Sequence, residues 1–190
     1  MEHVEKLQYR SEEMPSSMIL RVVGIVCNNI KEPFLKAGDS DIEMQGSMDE
    51  VKKRVNASTN IMSEIIMGKP YYALLDGIED YSHLVVLYWG HRVPESSRLL
   101  AKVHPMGRKE KPIKGIYSTC SPARPNPILM TVVKLHKREE NILQVSGLDA
   151  IDRTPVIDIK PYVTEFYPRK EVRIPEWMQK IIDETRHSVG

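Results

Sequence analysis

His83-Leu-Val-Val-Leu-Tyr-Trp89 is the stretch on which the fold turns. Nearly every residue in it is apolar, which reads as a strand buried on both faces. Working outward, Leu20–Cys27 (LRVVGIVC) reads as a first strand, rich in β-branched residues. Leu99–His104, Gly115–Thr119, Ile128–His136, Ile142–Ser146 and Pro155–Lys160 are further strand candidates. The Asn-containing turn around Glu139–Asn141 predicts a hairpin between two of them. Many short strands with turn signals, and no regular βαβ alternation, predict a barrel or sandwich rather than a Rossmann layout.

Two helices interrupt this pattern. Ser47 and Glu50 form a capping-box pair, in which the hydroxyl accepts from one amide and the carboxylate reaches back to another. Met48, Val51, Val55, Met62, Ile65 and Ile66 fall close to one helical stripe, and Gly68 and Pro70 supply a stop. The expectation is one helix over residues 47–67. Pro175, followed by Trp177, Met178, Ile181 and Ile182, predicts a C-terminal amphipathic helix. The chain divides into a polar lead-in over 1–18, a barrel domain over 19–168 and a helical appendage over 169–190.

Composition bounds what such a fold can do. The 190 residues, 41% hydrophobic and 28% charged, suit one domain with a real core and a soluble surface. No apolar run approaches the length of a membrane span, and the polar start is no signal peptide. The 2 cysteines, Cys27 and Cys120, form neither a disulfide framework nor a zinc spacing, so a reducing cytoplasm is expected and no metal. Net charge is +1, from 27 basic and 26 acidic residues, so any RNA binding must come from local clustering.

Four segments can carry chemistry. In Ser118-Thr-Cys-Ser-Pro-Ala-Arg-Pro-Asn-Pro-Ile128, Arg124 and Asn126 each precede a proline and are pushed toward extended backbone. The stiff loop presents a guanidinium able to grip a carboxylate or phosphate with two parallel bonds. Residue types alone leave a rigid connector with a solvated arginine equally open. In Gly147-Leu-Asp-Ala-Ile-Asp-Arg-Thr-Pro155, Asp152 and Thr154 read more readily as turn formers, and Asp149 as the better placed carboxylate. In Asp76–Leu84, His83 starts the apolar strand and His91 follows it; packing outweighs metal binding as a reading for both. In His104–Lys114, Arg108, Lys109, Lys111 and Lys114 face a single Glu110, which suits a phosphate backbone or plain solubility. None of these is a glycine-rich turn opening a helix, the usual cofactor signature.

Taken together, these segments resemble the TsaA-like family, also called the YaeB or TrmO-like proteins. The matching stretches are Val23-Gly-Ile-Val, Leu75-Asp-Gly-Ile-Glu-Asp-Tyr-Ser-His-Leu, Val86-Leu-Tyr-Trp-Gly-His, Gly115-Ile-Tyr-Ser-Thr, Ser121-Pro-Ala-Arg-Pro-Asn-Pro-Ile, Gly147-Leu-Asp-Ala-Ile-Asp and Thr154-Pro-Val-Ile-Asp-Ile-Lys-Pro-Tyr. They run in family order over roughly residues 20 to 163. The resemblance implies a mainly β fold: an antiparallel β-barrel with one inserted helix and a C-terminal helix. It implies a homodimer with S-adenosylmethionine near the interface, and methyl transfer to N6 of threonylcarbamoyladenosine beside the tRNA anticodon. Cofactor contacts are expected from Phe34, Leu35, Lys36, His83, Leu84, Arg124, Asn126, Leu148, Asp149, Ala150, Ile151 and Asp152. Catalytic roles fall to Asp149, Asp152 and Arg124, with Arg108, Lys109, Lys111, Lys114, Lys160 and Tyr162 on RNA. Tyr81, Tyr117 or Trp89 would stack a base where exposed. The chain departs from the family pattern at Cys120, where an arginine is usual, and at Leu129 and Arg153, where glycine is usual. The missing arginine motivates a rival, a cofactor-binding sensor or RNA-binding barrel without turnover.

Overall fold

The computed structural model describes residues 17–47, 49–50, 52–53, 57 and 60–186. Of the expected lead-in, all but Ser17 and Met18 lies outside the described residues. The strands, in chain order, are β1 (Gly24–Cys27), β2 (Leu35–Ala37), β3 (Ile42–Met44), β4 (Met62–Met67), β5 (His83–Trp89), β6 (Lys102–Val103), β7 (Lys114–Gly115), β8 (Ile128–Glu139), β9 (Ile142–Ser146) and β10 (Pro155–Pro161). Six close a barrel in the order β1-β10-β5-β8-β9-β4, every pairing antiparallel. Closure leaves no free edge. β2–β3 and β6–β7 form separate two-stranded pieces.

The barrel is filled by its own side chains, as a barrel this small must be. Leu84, Val86 and Tyr88 point inward from β5, Ile65 and Met67 from β4, Val133 and Leu135 from β8, and Leu143 and Val145 from β9. On the other face of β5, Val85 is buried too, while Leu87 and Trp89 are half-buried. A 310 turn over Lys69–Leu75 plugs one end with Leu75, and an Arg138 Nη1–H donates to the Leu75 carbonyl at 3.0 Å.

A second, smaller core joins Ile42, Val103, Ile116 and Ala123, with Leu35, Ala37 and Leu100 packed on it. It binds the β2–β3 hairpin to the long β5–β8 connection. His104 fastens the same joint. Its backbone N–H donates to Asp41 Oδ1 at 2.9 Å, and its Nδ1 lies 2.5 Å from Oδ2.

The structure corrects the long helix. The capping box forms: Ser47 N–H donates to Glu50 Oε2 at 2.7 Å and Glu50 N–H to Ser47 Oγ at 3.3 Å. Residues 49–50, 52–53 and 57 are helical, while Met48, Val51 and Val55 lie outside the described residues. Met62–Met67, however, is a barrel strand. Asn60 turns the chain by donating its N–H to Ala57 O at 2.9 Å. Without β4, β1 and β9 would each expose a row of unpaired amides and carbonyls. Gly68, at φ −68°, is therefore extended backbone after a strand and not a left-handed helix stop.

Three strand expectations were too long. β1 starts at Gly24, and Leu99–His104 is extended only at Lys102–Val103, between 310 turns at Ser96–Leu99 and Pro105–Gly107. Gly115–Thr119 curls into a 310 turn at Ile116–Ser118 so that Ile116 can reach the second core. The β8–β9 hairpin is as expected, with Glu140 at φ 52°, and the C-terminal helix spans Glu176–Arg186. No helix among the described residues is long and apolar enough to cross a membrane.

The β4 register separates two neighbours that a helical stripe would treat alike. Ile65 is fully buried, whereas Ile66 is 40% exposed. Ile65→Ala is expected to cost about 2–4 kcal/mol in chemical denaturation and Ile66→Ala about 1 kcal/mol or less. Equal losses would contradict the strand.

Candidate functional site

Strand direction decides which loops meet. In a closed ring of alternating strands, β1, β5 and β9 run one way and β10, β8 and β4 the other. The described residues of 28–61, together with segments 90–127 and 147–154, therefore emerge at one end, the upper rim. The plug and the segments 68–82, 140–141 and 162–175 belong to the opposite end. The proline loop with Arg124 and the turn Leu148–Asp152 share the upper rim, as does Phe34–Lys36. His83 and Leu84 do not: they open β5 at the opposite end, and Leu84 is wholly buried in the core. Lys160 and Tyr162 lie there too, and the Tyr162 ring meets His83 edge-on at 6.5 Å and stacks on Tyr167 at 5.1 Å.

β5 brings the two expected turns side by side. The Tyr88 hydroxyl donates to the Asp149 carbonyl at 2.5 Å and lies 2.9 Å from Thr131 Oγ1. Two residues on, Gly90 N–H donates to Pro127 O at 2.7 Å. Arg124 partly organises its own loop: Nε–H donates to Ser121 O at 2.8 Å and Nη2–H to Thr119 O at 2.6 Å. Its Nη1 has no partner among the described residues.

The loop after β1 is knotted to the same turn. Buried Asn28 donates its amide Nδ2–H to Ser63 Oγ at 3.0 Å and to the Ala150 carbonyl at 2.9 Å. Its backbone N–H donates to Asp152 Oδ1 at 3.1 Å, and Asp152 N–H donates to Ile30 O at 2.7 Å. Lys31 Nζ reaches Asp152 Oδ2 at 2.7 Å. Arg92, just past β5, donates to Lys31 O at 2.9 Å and pairs with Glu32 at 2.7 Å. Asn28, Tyr88 and Arg92 were not singled out from the sequence. The one legible signal was a phenol in an otherwise apolar strand.

The two turn carboxylates have opposite environments. The Lys31 ammonium first, then the Asn28 amide, hold the Asp152 carboxyl below its ordinary value. Asp152 is thus a fixed anion that ties two loops. Asp149 is reached by solvent from one side, but protein crowds the others, and this burial holds its carboxyl above its ordinary value. No cation or hydrogen-bond donor pairs with its side chain among the described residues. Burial first, then the Asp149 charge, pushes the Tyr88 phenol far up, so Tyr88 remains a neutral donor. Pairs of acids driven apart in this way are a common mark of sites with divided roles.

The basic loop is less open than its composition implies. Glu184, on the C-terminal helix, pairs with Arg108 and, at 3.0 Å, with Lys111. The Arg108 and Lys111 side chains are only 16% and 10% exposed. Lys109 is exposed and Lys114 half-buried. Arg153, at a position where glycine is usual in the resembled family, sits at φ 67°, a left-handed conformation that glycine adopts without strain. A surface hollow along β1, lined by Val22–Cys27, Ile66 and Met67, touches the rim only through Asp152 and Arg153.

A small closed barrel with polar loops gathered on one rim defines a mainly β protein with an open, loop-built site. Residues 47–167 match the tRNA-methyltransferase O N-terminal domain, and the chain belongs to that family. A probable S-adenosyl-L-methionine-binding protein of Pyrococcus abyssi is 36% identical over 167 residues, covering 88% of this chain and 79% of that relative. The corresponding protein of Methanothermobacter thermautotrophicus is 39% identical over 143 residues, 75% of this chain and 88% of the relative. The human tRNA (adenine(37)-N6)-methyltransferase is 40% identical over 110 residues, 58% of this chain but only 24% of the human protein. The crystal structure of TrmO from Pseudomonas aeruginosa superposes with a TM-score of 0.61 at 23% identity, covering 86% of this chain. The present chain spans only 63% of that structure, which supports the barrel alone.

A carboxylate held above its ordinary value costs folded stability once ionised. That cost is absent while the group is protonated and sets in as pH rises above the unfolded value, about 4. Asp149→Asn is therefore expected to raise the melting temperature near pH 7, with the gain closing as pH falls toward 4. A variant no more stable than the parent at pH 7 would refute the crowding of this carboxylate.

Proposed function

We propose that this chain binds S-adenosylmethionine at the upper rim and methylates N6 of an adenine in tRNA. The finer assignment is threonylcarbamoyladenosine at position 37. Family membership and the relatives named for that cofactor support the class of reaction. The observation that carries the site is Asp149: an accessible carboxylate, crowded by protein and lacking a counter-cation, set beside a loop with a partly free guanidinium.

The donor set suits the cofactor. A ligand carboxylate calls for a guanidinium, and Arg124 is of that type. Phe34, Leu35, Lys36, Asn126 and the Leu148–Asp152 turn complete the wall. When bound, the cofactor supplies an electrophilic methyl group. An exocyclic nitrogen is a weak nucleophile because its lone pair is delocalised. The rim must hold it in line and take its proton as the N–C bond forms. Asp149, whose carboxyl is held above its ordinary value by the protein crowded around it, is the acceptor, directly or through water. Asp152, fixed as an anion, positions loop 28–32 and takes no proton. Tyr117, 79% exposed, provides a stacking face on the loop that leads to Arg124. Lys109 steers phosphates, since Arg108 and Lys111 are held by Glu184.

The open rim also favours a homodimer that would close it. Met130 and Val132 project from β8 with 61% and 39% exposure and offer an apolar contact. Free, exposed Cys27 and Cys120 suit a reducing cytoplasm.

Methyl-labelled S-adenosylmethionine and bulk tRNA test the reaction: the parent transfers label, and Asp149→Asn loses about 100-fold or more in kcat. Tight cofactor binding without transfer by the parent would instead establish a sensor, the outcome that Cys120 motivates. Lys109→Ala is expected to weaken tRNA binding and to flatten its salt dependence by about one charge. An unchanged slope would remove the basic loop from the RNA interface.

A further inference from the structure

Within the upper rim, two buried donors act on successive peptide groups of a single turn. The Tyr88 hydroxyl holds the carbonyl of Asp149 at 2.5 Å, and the Asn28 amide holds the carbonyl of Ala150 at 2.9 Å. Both donors come from inside the barrel end. Tyr88 is 3% exposed and Asn28 8% exposed. The peptide bonds of the described residues are all trans, so each carries its N–H on the side opposite its carbonyl. Drawing these two carbonyls inward turns the N–H groups of Ala150 and Ile151 away from the two donors. Neither amide has a hydrogen-bond partner among the described residues, whereas the next two do: Asp152 N–H donates to Ile30 O at 2.7 Å and Arg153 N–H to Val26 O at 2.8 Å.

We infer that Asn28 and Tyr88 are a pair of positioning residues that present the Ala150 and Ile151 amides, beside the Asp149 carboxylate, as a preset ligand-reading edge. This rests on the cofactor reading above and deepens it. Two adjacent amide donors next to one carboxylate match a ligand that offers acceptors beside a donor or cation. An adenine edge and an amino-acid zwitterion both have that character. The pair does not touch the ligand. Its work is to remove the freedom of two peptide planes before binding, so that less order is lost when the ligand arrives. Thr131 beside the Tyr88 hydroxyl, and Ser63 beside the Asn28 amide, satisfy the remaining polar groups and fix the direction of each donor.

Tyr88→Phe removes one hydroxyl and keeps the ring in the core. Asn28→Ala removes the other donor, and Asn28→Gln restores an amide on a longer arm. Two readouts are taken on the full chain. Calorimetry with S-adenosylhomocysteine is expected to show about threefold to tenfold weaker binding for Tyr88→Phe and for Asn28→Ala, the scale of one hydrogen bond. Partial recovery is expected in Asn28→Gln. Nuclear magnetic resonance without ligand is expected to show the Ala150 and Ile151 amides shifting in Tyr88→Phe while core amides of β9 hold their positions. Amides that do not move, or affinities within twofold of the parent despite a lower melting temperature, would overturn the positioning role and leave the pair merely structural. A parent that binds no S-adenosylhomocysteine, with amides that still shift in Tyr88→Phe, would instead overturn the cofactor reading and keep the pair.

Discussion

The alternation of strand direction around a closed ring is the constraint from which the site follows. Because each barrel strand runs antiparallel to both neighbours, the chain must leave β1, β5 and β9 at the same end. No single loop there is long on functional groups. The rim acquires them because closure gathers three separated segments: the described residues of 28–61, and residues 90–127 and 147–154. The interior is filled by buried, mostly aliphatic side chains, as in other barrels this small, which leaves the mouth as the place for chemistry. The small second core then sets the loops against one another, since Ala123, next to Arg124, packs in the same cluster as Leu35 and Ile116.

Burial and hydrogen bonding divide the labour between two aspartates separated by two residues. Asp152 sits where an ammonium and a backbone amide reach it, and it is an anchor. Asp149 is open to solvent on one side, is crowded by protein on the others, and has no cation paired with it among the described residues. Tyr88 and Asn28 hold the backbone carbonyls of Asp149 and Ala150 around that carboxylate. A stable fold maintaining a locally unfavourable group is the usual relation between structure and site.

Much of this was legible in the sequence, for identifiable reasons. β5, β8, β9, β10 and the C-terminal helix were readable because their apolar patterns are long and bounded by turn residues. The turn at Leu148–Asp152 and the Arg124 loop were readable because prolines and aspartates restrict local backbone. Met62–Met67 was misread because Met62, Ile65 and Ile66 fit a helical stripe as well as the strand alternation of Ser63, Ile65 and Met67. What decided it was non-local, the open edges of β1 and β9. The barrel end that His83 occupies was illegible for a related reason. Sequence proximity to a family motif carries no information on which barrel end a residue occupies; strand parity does. Asn28 and Tyr88 were invisible as site residues because their partners lie 122 and 61 residues away.

The C-terminal helix completes the electrostatic picture. Local composition made His104–Lys114 look like a phosphate-binding strip, yet Arg108 and Lys111 turn out to be nearly enclosed and paired with Glu184. A carboxylate between an arginine and a lysine occupies the same place that a phosphate would take. Any polyanion approaching this loop must therefore either displace Glu184 and expose the helix, or bind through Lys109 and Lys114 alone. Displacing Glu184 would leave Lys111 without its carboxylate and Arg108 with Glu110 alone, which is unfavourable unless the incoming group restores both contacts. The second route requires no rearrangement. On those grounds the enclosed pair serves chiefly to fasten the helix to the barrel's upper connection, and the charge available for steering is smaller than the sequence advertises.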